Sequence, residues 1–268
     1  MCAATRDSQS VAIVSAVWLR IFTGERLDWT SVATLLVPAR EVRPATPRTR
    51  IIVIDLDGHA FAFNAGQAVF AGLADSSVRR PYSIACSPEQ AARDRSLELL
   101  VQIDDHSAPD PHLERATPGR VLSIEGPFGS FALPTRVPEH HLLLIAGGTG
   151  IAPLRSIMWH VLEVQPEVAV SVAYSARTAA ELAYLSELTA LAGDQRIILW
   201  TTVTRDDRWT WTGRRGRLDK TLLGIALKTP DSRCVVCGPS GFVADVSGLL
   251  RSAGVVAERI VTETYTSS

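Results

Sequence analysis

The chain has 268 residues, 46% hydrophobic and 21% charged, with 18 Gly and 15 Pro; this is ordinary globular usage at a length of one to two domains, and it excludes disordered, collagen-like and low-complexity classes. Basic and acidic residues nearly cancel, 27 against 28 for a net charge of -1, so no overall field recruits nucleic acid or anionic lipid and any polyanion site has to be local. Only Lys220 and Lys228 among the 27 are lysines, leaving 25 Arg; these forks suit phosphates and carboxylates, and Schiff-base chemistry has almost no candidate.

In chain order, residues 1–32 read as an N-terminal extension. Their apolar stretch Val11–Phe22, broken by Arg20, is shorter than the about 20 apolar residues of a membrane-spanning helix. Asp7 beside Arg6, with no small-residue cleavage site after the stretch, argues against a secretory signal. The expectation is a cytoplasmic chain without a membrane span. Between Ala33 and Pro138 short β-like runs follow one another: Thr34–Val42, Arg50–Asp55, Gln67–Ala71, Pro81–Cys86, Leu97–Ile103, Arg120–Glu125 and Phe131–Leu133. Asp57-Gly58, Ala65-Gly66, Pro118-Gly119 and Gly126-Pro127 punctuate them, a pattern of an antiparallel barrel or sandwich over 33–138.

From Glu139 the pattern changes to strand, helix, strand, helix over 139–268. Leu142–Ala146 is a continuous apolar strand of the kind covered on both faces, and Leu154, Ile157, Met158, Val161 and Leu162 after it make one helical stripe. Val168–Tyr174 is the next strand. Thr178-Ala-Ala-Glu181 reads as a capping box opening a helix that stops near Gly193. Ile197–Val203, Arg233–Cys237 and Arg259–Thr262 add strands, with a helix across Gly241–Ser252, giving a doubly wound parallel sheet.

The cysteines are Cys2, Cys86, Cys234 and Cys237, too few for a disulfide scaffold and without the spacing of a plant-type [2Fe–2S] centre. Cys234 and Cys237 fit C-x-x-C, but three positions apart on a strand they point to opposite faces, which favours strand packing over a redox or zinc pair.

Two short segments carry site chemistry. In Gly147-Gly-Thr-Gly-Ile-Ala-Pro153, glycines let backbone amides approach a pyrophosphate, Pro153 suits a first helical turn, and a helix N-terminus favours anionic oxygens. It is neither the dinucleotide fingerprint nor a P-loop with its Lys. Arg80-Pro-Tyr-Ser83 places a phosphate fork, an aromatic ring and a hydroxyl within four residues, a set that suits a flavin nucleotide.

Arg80-Pro-Tyr-Ser83, Gly126-Pro-Phe-Gly-Ser-Phe131, Gly147-Gly-Thr-Gly-Ile-Ala-Pro153 and Cys237-Gly-Pro239, in that order, resemble the ferredoxin–NADP reductase superfamily of flavoenzymes, from about Ala33 to the C-terminus. The resemblance implies a Greek-key FAD-binding barrel, a pyridine-nucleotide domain, and hydride transfer from NADPH or NADH at their junction. It makes Arg80 a pyrophosphate ligand, Tyr82 the ring stacked on the isoalloxazine, and Ser83 the hydroxyl near flavin N5, with Pro81 and Gly126 in the same cofactor set. Gly147, Gly148, Thr149, Gly150 and Pro153 would take the nicotinamide dinucleotide's pyrophosphate, with Cys237, Gly238 and Pro239 beside the nicotinamide. Glu263 and Tyr265 are similar to an acidic-x-aromatic ending whose aromatic covers the flavin. Ser83, Cys237 and Glu263 form the implied catalytic set.

One segment departs from the pattern. Where relatives present a small hydroxyl residue and amides to the FAD pyrophosphate, this chain has Asp104-Asp-His-Ser-Ala-Pro-Asp-Pro-His112. Either Ser107 and the amides near His112 substitute, or FAD is held less tightly. Its two His and three Asp read as a solvated loop rather than a metal site. At the end of the second parallel strand, where NAD sites commonly place an acidic residue, Tyr174-Ser-Ala-Arg177 offers Ser175 and Arg177, followed by Arg205, which favours NADPH. With no cluster motif and no haem domain of its own, the implied acceptor is a separate protein such as ferredoxin, or a small molecule. The alternative is a non-catalytic flavin-binding subunit that senses redox state or regulates a partner.

Overall fold

Runs such as Thr49–Asp55, buried at Ile51, Ile52 and Ile54, build the first sheet. The computed structural model describes residues 34–56, 58–103, 113–133, 136–205, 211–229 and 231–265; the 1–32 segment, Cys2 within it, and the Asp104–His112 segment with Ser107 lie outside the described residues. β1 (Thr34–Thr46), β2 (Thr49–Asp55), β3 (Ala68–Leu73), β4 (Arg80–Ser83), β5 (Ser96–Gln102) and β6 (Val121–Phe128) are antiparallel in the order β4-β3-β6-β1-β2-β5. β6, last in sequence, slots between β3 and β1 in Greek-key fashion. The two ends of the sheet meet just past β4, where Ile84 bridges Leu99 and the Ala85 amide donates to the Glu98 carbonyl at 2.8 Å. The resulting barrel closes around Val37, Ile52, Val69, Leu99 and Ile124.

The second sheet is parallel throughout. β7 (His141–Gly147), β8 (Ala169–Ala176), β9 (Ile198–Val203), β10 (Arg214–Arg215), β11 (Arg233–Pro239) and β12 (Ile260–Tyr265) take the order β10-β9-β8-β7-β11-β12. Every residue of β7 is buried, as central strands covered on both faces require. Leu142, Leu144 and Ala146 pack with α2 (Ile151–Val164) and α3 (Leu185–Gly193), and Leu143 and Ile145 pack with α4 (Lys220–Ala226) and α5 (Ser240–Ser252). Cys237 lies on the first of these faces and Cys234 on the second, as strand alternation demands. No helix among the described residues is long and apolar enough to cross a membrane.

Local expectations fail in instructive places. Phe131–Leu133 is not a strand; Phe131 and Leu133 are side chains tucked into the core shared with α2. Thr178 caps nothing with its side chain and opens only a three-residue turn, Ala179–Glu181; the helix starts anew at Leu185 after Tyr184 takes a left-handed backbone at φ 59°. Two short helices were not foreseen: α1 (Pro88–Asp94), between β4 and β5, and α4. The first has a full capping box, in which the Gln90 amide donates to Ser87 Oγ at 3.1 Å and the Ser87 amide to Gln90 Oε1 at 3.0 Å.

Ser87 is fully buried, so Ser87→Ala leaves the Gln90 amide without its acceptor. The expected cost is about 1 kcal/mol, read as a lower urea midpoint with an unchanged m value; an unchanged midpoint would show that the cap contributes nothing to α1.

Candidate functional site

The strand order places β7 at the centre of the parallel sheet. The chain runs outward from it to β8, β9 and β10, then returns to lay β11 on its other flank. Ligands of open α/β sheets bind outside the carboxyl ends of the strands at such a switch point. Here those ends carry the Gly147–Gly150 turn after β7 and Cys237-Gly238-Pro239 at the end of β11, and the two are in backbone contact. A Cβ on Gly150 would stand 2.3 Å from the Cys237 carbonyl oxygen and 2.9 Å from the Gly238 nitrogen, so only glycine fits. Gly148 adopts φ 57°, and no side chain caps the N-terminus of α2, a helix start whose dipole favours an anion. Pro153 sits buried in the first turn of α2.

β12 pairs with β11 so that Glu263 lies opposite Cys237 and Tyr265 opposite Pro239. The Cys237 thiol donates to Glu263 Oε2 at 3.8 Å, and the Tyr265 hydroxyl donates to the Gly147 carbonyl at 2.6 Å. Burial raises the Glu263 carboxyl from 4.5 to about 7, against a smaller downward pull from Cys237. Burial likewise pushes the Cys237 thiol well up, and the neighbouring carboxyl adds to the rise. The thiol therefore stays protonated at neutral pH and offers no thiolate nucleophile, while the carboxyl titrates around neutrality rather than in the usual carboxylate range.

A cleft of about 420 Å³ opens beside the switch point. On the parallel-sheet side it is bordered by Gly147, Gly148, Thr149, Ser175, Arg177, Arg205, Pro239 and Tyr265, and on the barrel side by Thr46, Arg48, Thr49, Leu100 and Gln102. Ser175 is buried and Arg177 and Arg205 are exposed. The Arg205 amide donates to the Arg177 carbonyl at 2.7 Å, so the two guanidinium arms spring from adjacent points. The barrel contribution was not foreseen. It comes from β5 and from the β1–β2 hairpin, the latter held by a 2.8 Å bond between the Thr46 and Thr49 hydroxyls and by the Ile103 amide donating to the Arg48 carbonyl at 2.8 Å.

Arg80, Tyr82 and Ser83 do not border this cleft, nor do Cys237 and Glu263. Arg80, Tyr82 and Ser83 lie on the edge strand β4, where Ala68 of β3 pairs with Ser83 on one side and with Phe128 of β6 on the other. The Arg80–Ser83 and Gly126–Phe131 segments thus share one end of the barrel. Tyr82 is half-buried and leans on the barrel core. Gly126 (φ 146°) lies tight on Val69, while a Cβ at Gly129 (φ 100°) would meet nothing within 4 Å. A phosphate fork, a ring and a hydroxyl on an edge strand beside open, glycine-lined backbone is a donor set that fits a flavin nucleotide.

Comparison with known proteins adds independent findings. Residues 40–133 match the model of an oxidoreductase FAD-binding domain, and residues 144–248 that of an oxidoreductase NAD-binding domain. The chain is 34% identical over 236 residues to a ferredoxin–NADP reductase B of Sorangium cellulosum, covering 84% of this chain and 94% of that one. It is 30% identical over 217 residues to an NADPH oxidoreductase of Mycobacterium tuberculosis, covering 79% of this chain and about half (54%) of that longer protein. Among solved structures, an Amycolatopsis cytochrome P450 reductase superposes with a TM-score of 0.76 at 23% identity, over 88% of this chain and 71% of the other. The FAD/NAD-binding domain of a Vibrio cholerae nitric oxide dioxygenase gives 0.74 at 22% identity, over 87% and 98%. At these identities the structures speak for the fold.

The raised Glu263 carboxyl has a thermodynamic consequence. Between about pH 4.5 and 7 the unfolded chain releases this proton while the folded chain keeps it, so its contribution to stability falls as pH rises through that window. Thermal unfolding of the wild type and Glu263→Gln should show the variant gaining on the wild type from pH 5 to 7.5. A Tm difference that stays flat over that range would mean that the carboxyl is not held protonated.

Proposed function

The chain belongs to the ferredoxin–NADP reductase family of FAD- and NAD(P)-dependent oxidoreductases, and from that premise we propose that it favours NADPH and passes the electrons to a separate acceptor. The observation that carries the reading is the cleft in which the Gly147–Thr149 turn, Ser175, Arg177 and Arg205 face the barrel's hairpin. FAD, when bound, accepts a hydride from reduced nicotinamide and releases electrons singly.

The side chains bind, orient and shield. Arg80 would hold the flavin's pyrophosphate, Tyr82 would supply an aromatic surface for its ring system, and Ser83 would offer it a hydroxyl. The amides of the Gly147–Gly150 turn receive the nicotinamide dinucleotide's pyrophosphate. Ser175 and the paired arms of Arg177 and Arg205 receive a 2′-phosphate, which a guanidinium fork grips with charge-assisted bonds. Cys237, Gly238 and Pro239 line the nicotinamide's place, beside Glu263, whose carboxyl, raised by burial to about 7, carries less negative charge there than an exposed carboxylate. Hydride transfer between held rings depends on position and dryness far more than on acid–base groups. The acceptor follows from the relative named a ferredoxin–NADP reductase and from four cysteines that lack cluster spacing: a ferredoxin-like protein, or a small molecule.

FAD-loaded protein should lose its flavin absorption bands on anaerobic addition of NADPH and should reduce ferricyanide. Arg177→Ala should lower kcat/KM for NADPH by about tenfold or more, the worth of a charge-assisted bond, and leave NADH nearly unchanged. Retention of the wild-type NADPH preference in that variant would overturn the assignment of the 2′-phosphate site.

A further inference from the structure

An ion cluster centred on a buried arginine ties the two halves together, and the mechanism above does not use it. Arg155 rises from α2, five residues past Gly150, and is 8% exposed. Its Nε and Nη2 donate to the Glu187 carboxylate of α3 at 2.9 and 2.8 Å. Its Nη1 crosses to the barrel, donating to the Ala85 carbonyl at 2.8 Å and standing 3.3 Å from Glu98 Oε1. Tyr184 completes the pocket: Arg155 stacks 4.6 Å over its ring, and its hydroxyl donates to Glu98 Oε1 at 2.9 Å. The adjacent Ser156 donates to the Cys86 carbonyl at 2.6 Å.

The location gives the cluster its meaning. Ala85 is two residues beyond Ser83, at the seam where the chain leaves β4 to close the barrel on β5. Arg155 lies about 7.5 Å along α2 from the nucleotide turn at 1.5 Å per residue. One rigid side chain therefore spans from the flavin-binding strand to the helix that presents the nicotinamide dinucleotide. Lys could supply the charge but not the fork that engages Glu187 and Ala85 together. A buried ion pair is a weak source of net stability, whereas a small misplacement of reacting groups can cost about 10²-fold in rate.

We propose that Arg155 is a positioning residue for hydride transfer, holding the Arg80–Ser83 strand and the Gly147–Gly150 turn at their working separation through Ala85, Glu98 and Glu187. The proposal rests on the hydride-transfer reading given above.

The test compares wild type, Arg155→Met and Arg155→Lys in two measurements. In anaerobic stopped flow on the FAD-loaded proteins, the limiting rate of flavin reduction by NADPH should fall by about tenfold or more in the Met variant, with the apparent Kd for NADPH within about threefold and the flavin spectrum unchanged. The Lys variant should fall between the two. In hydrogen exchange without NADPH, the amides of residues 84–87 should exchange faster in both variants. A limiting rate within about twofold of wild type in a folded, flavin-loaded variant overturns the proposal, as does a loss confined to Kd. If the Met variant does not fold, the Lys variant decides by the same readings. Wild-type protein that NADPH and NADH fail to reduce would instead overturn the hydride-transfer reading, and the exchange measurement would then judge whether Arg155 clamps the seam.

Discussion

One steric constraint in the parallel sheet's crown sets the rest of the site. Gly150 and the Cys237–Gly238 peptide touch with no room for a methyl group, and this contact fixes the β7 turn against the end of β11. Because β12 is in register with β11, the same contact brings Glu263 and Tyr265 to that place. Tyr265 then closes the arrangement by donating to the Gly147 carbonyl. Three segments far apart in sequence are thus located by one steric constraint, which a Cβ would break at a cost of about 1–3 kcal/mol for forcing the backbones apart.

The two halves are joined by more than their connecting chain. Ile51, Ala65, Ala85 and Leu100 of the barrel belong to the same apolar cluster as Ile151, Leu154 and Ile157 of α2. Burial of that shared surface supplies the adhesion, since apolar area is the main favourable term in association. It is non-directional, however, and by itself allows sliding. Direction comes from polar pairs that cross the same junction: Arg155 with Ala85 and Glu98, Ser156 with Cys86, and His160 Nδ1 with Glu89 at 2.9 Å. All three donors or ring nitrogens lie on α2, so the helix that carries the nucleotide turn is also the helix that registers the barrel.

How much of this was legible depends on the range of the interaction responsible. The β7 strand, its glycine turn and α2 were readable because a continuous apolar run, Gly147–Gly150 and Pro153 all act within a few residues. The motif order gave the barrel and the parallel sheet together, and the opposite facing of Cys234 and Cys237 followed from strand alternation alone. α1 carried a readable signal in Ser87-Pro88-Glu89-Gln90, yet with only Ala91 buried on a seven-residue helix it shows no apolar stripe. The false start at Thr178 has a tertiary cause: Tyr184 is drawn to Glu98 and Arg155 across the junction, and its left-handed backbone resets the helix at Leu185. Nothing local distinguishes Arg155 from 24 other arginines or marks the Thr46–Thr49 hairpin as a wall of the cleft, because both depend on how one half seats on the other.

The cleft's chemistry runs along the strand order. Arg177 and Arg205 stand at the ends of β8 and β9, the amide-rich turn at the end of β7, and Pro239 and Tyr265 at the ends of β11 and β12. Four strand spacings separate β9 from β12, about 19 Å at about 4.8 Å each. Along that line the cleft's border passes from the guanidinium forks of Arg177 and Arg205 through the Gly147–Thr149 backbone to Pro239 and Tyr265. A ligand phosphorylated at one end would set that end against the exposed guanidinium groups of Arg177 and Arg205, because reversing it would lay the phosphate against Pro239 and Tyr265 instead. The order of the strands thus sets two exposed arginines at one end of the cleft, and the contacts across α2 tie the glycine turn at its middle to the barrel's β4–β5 seam.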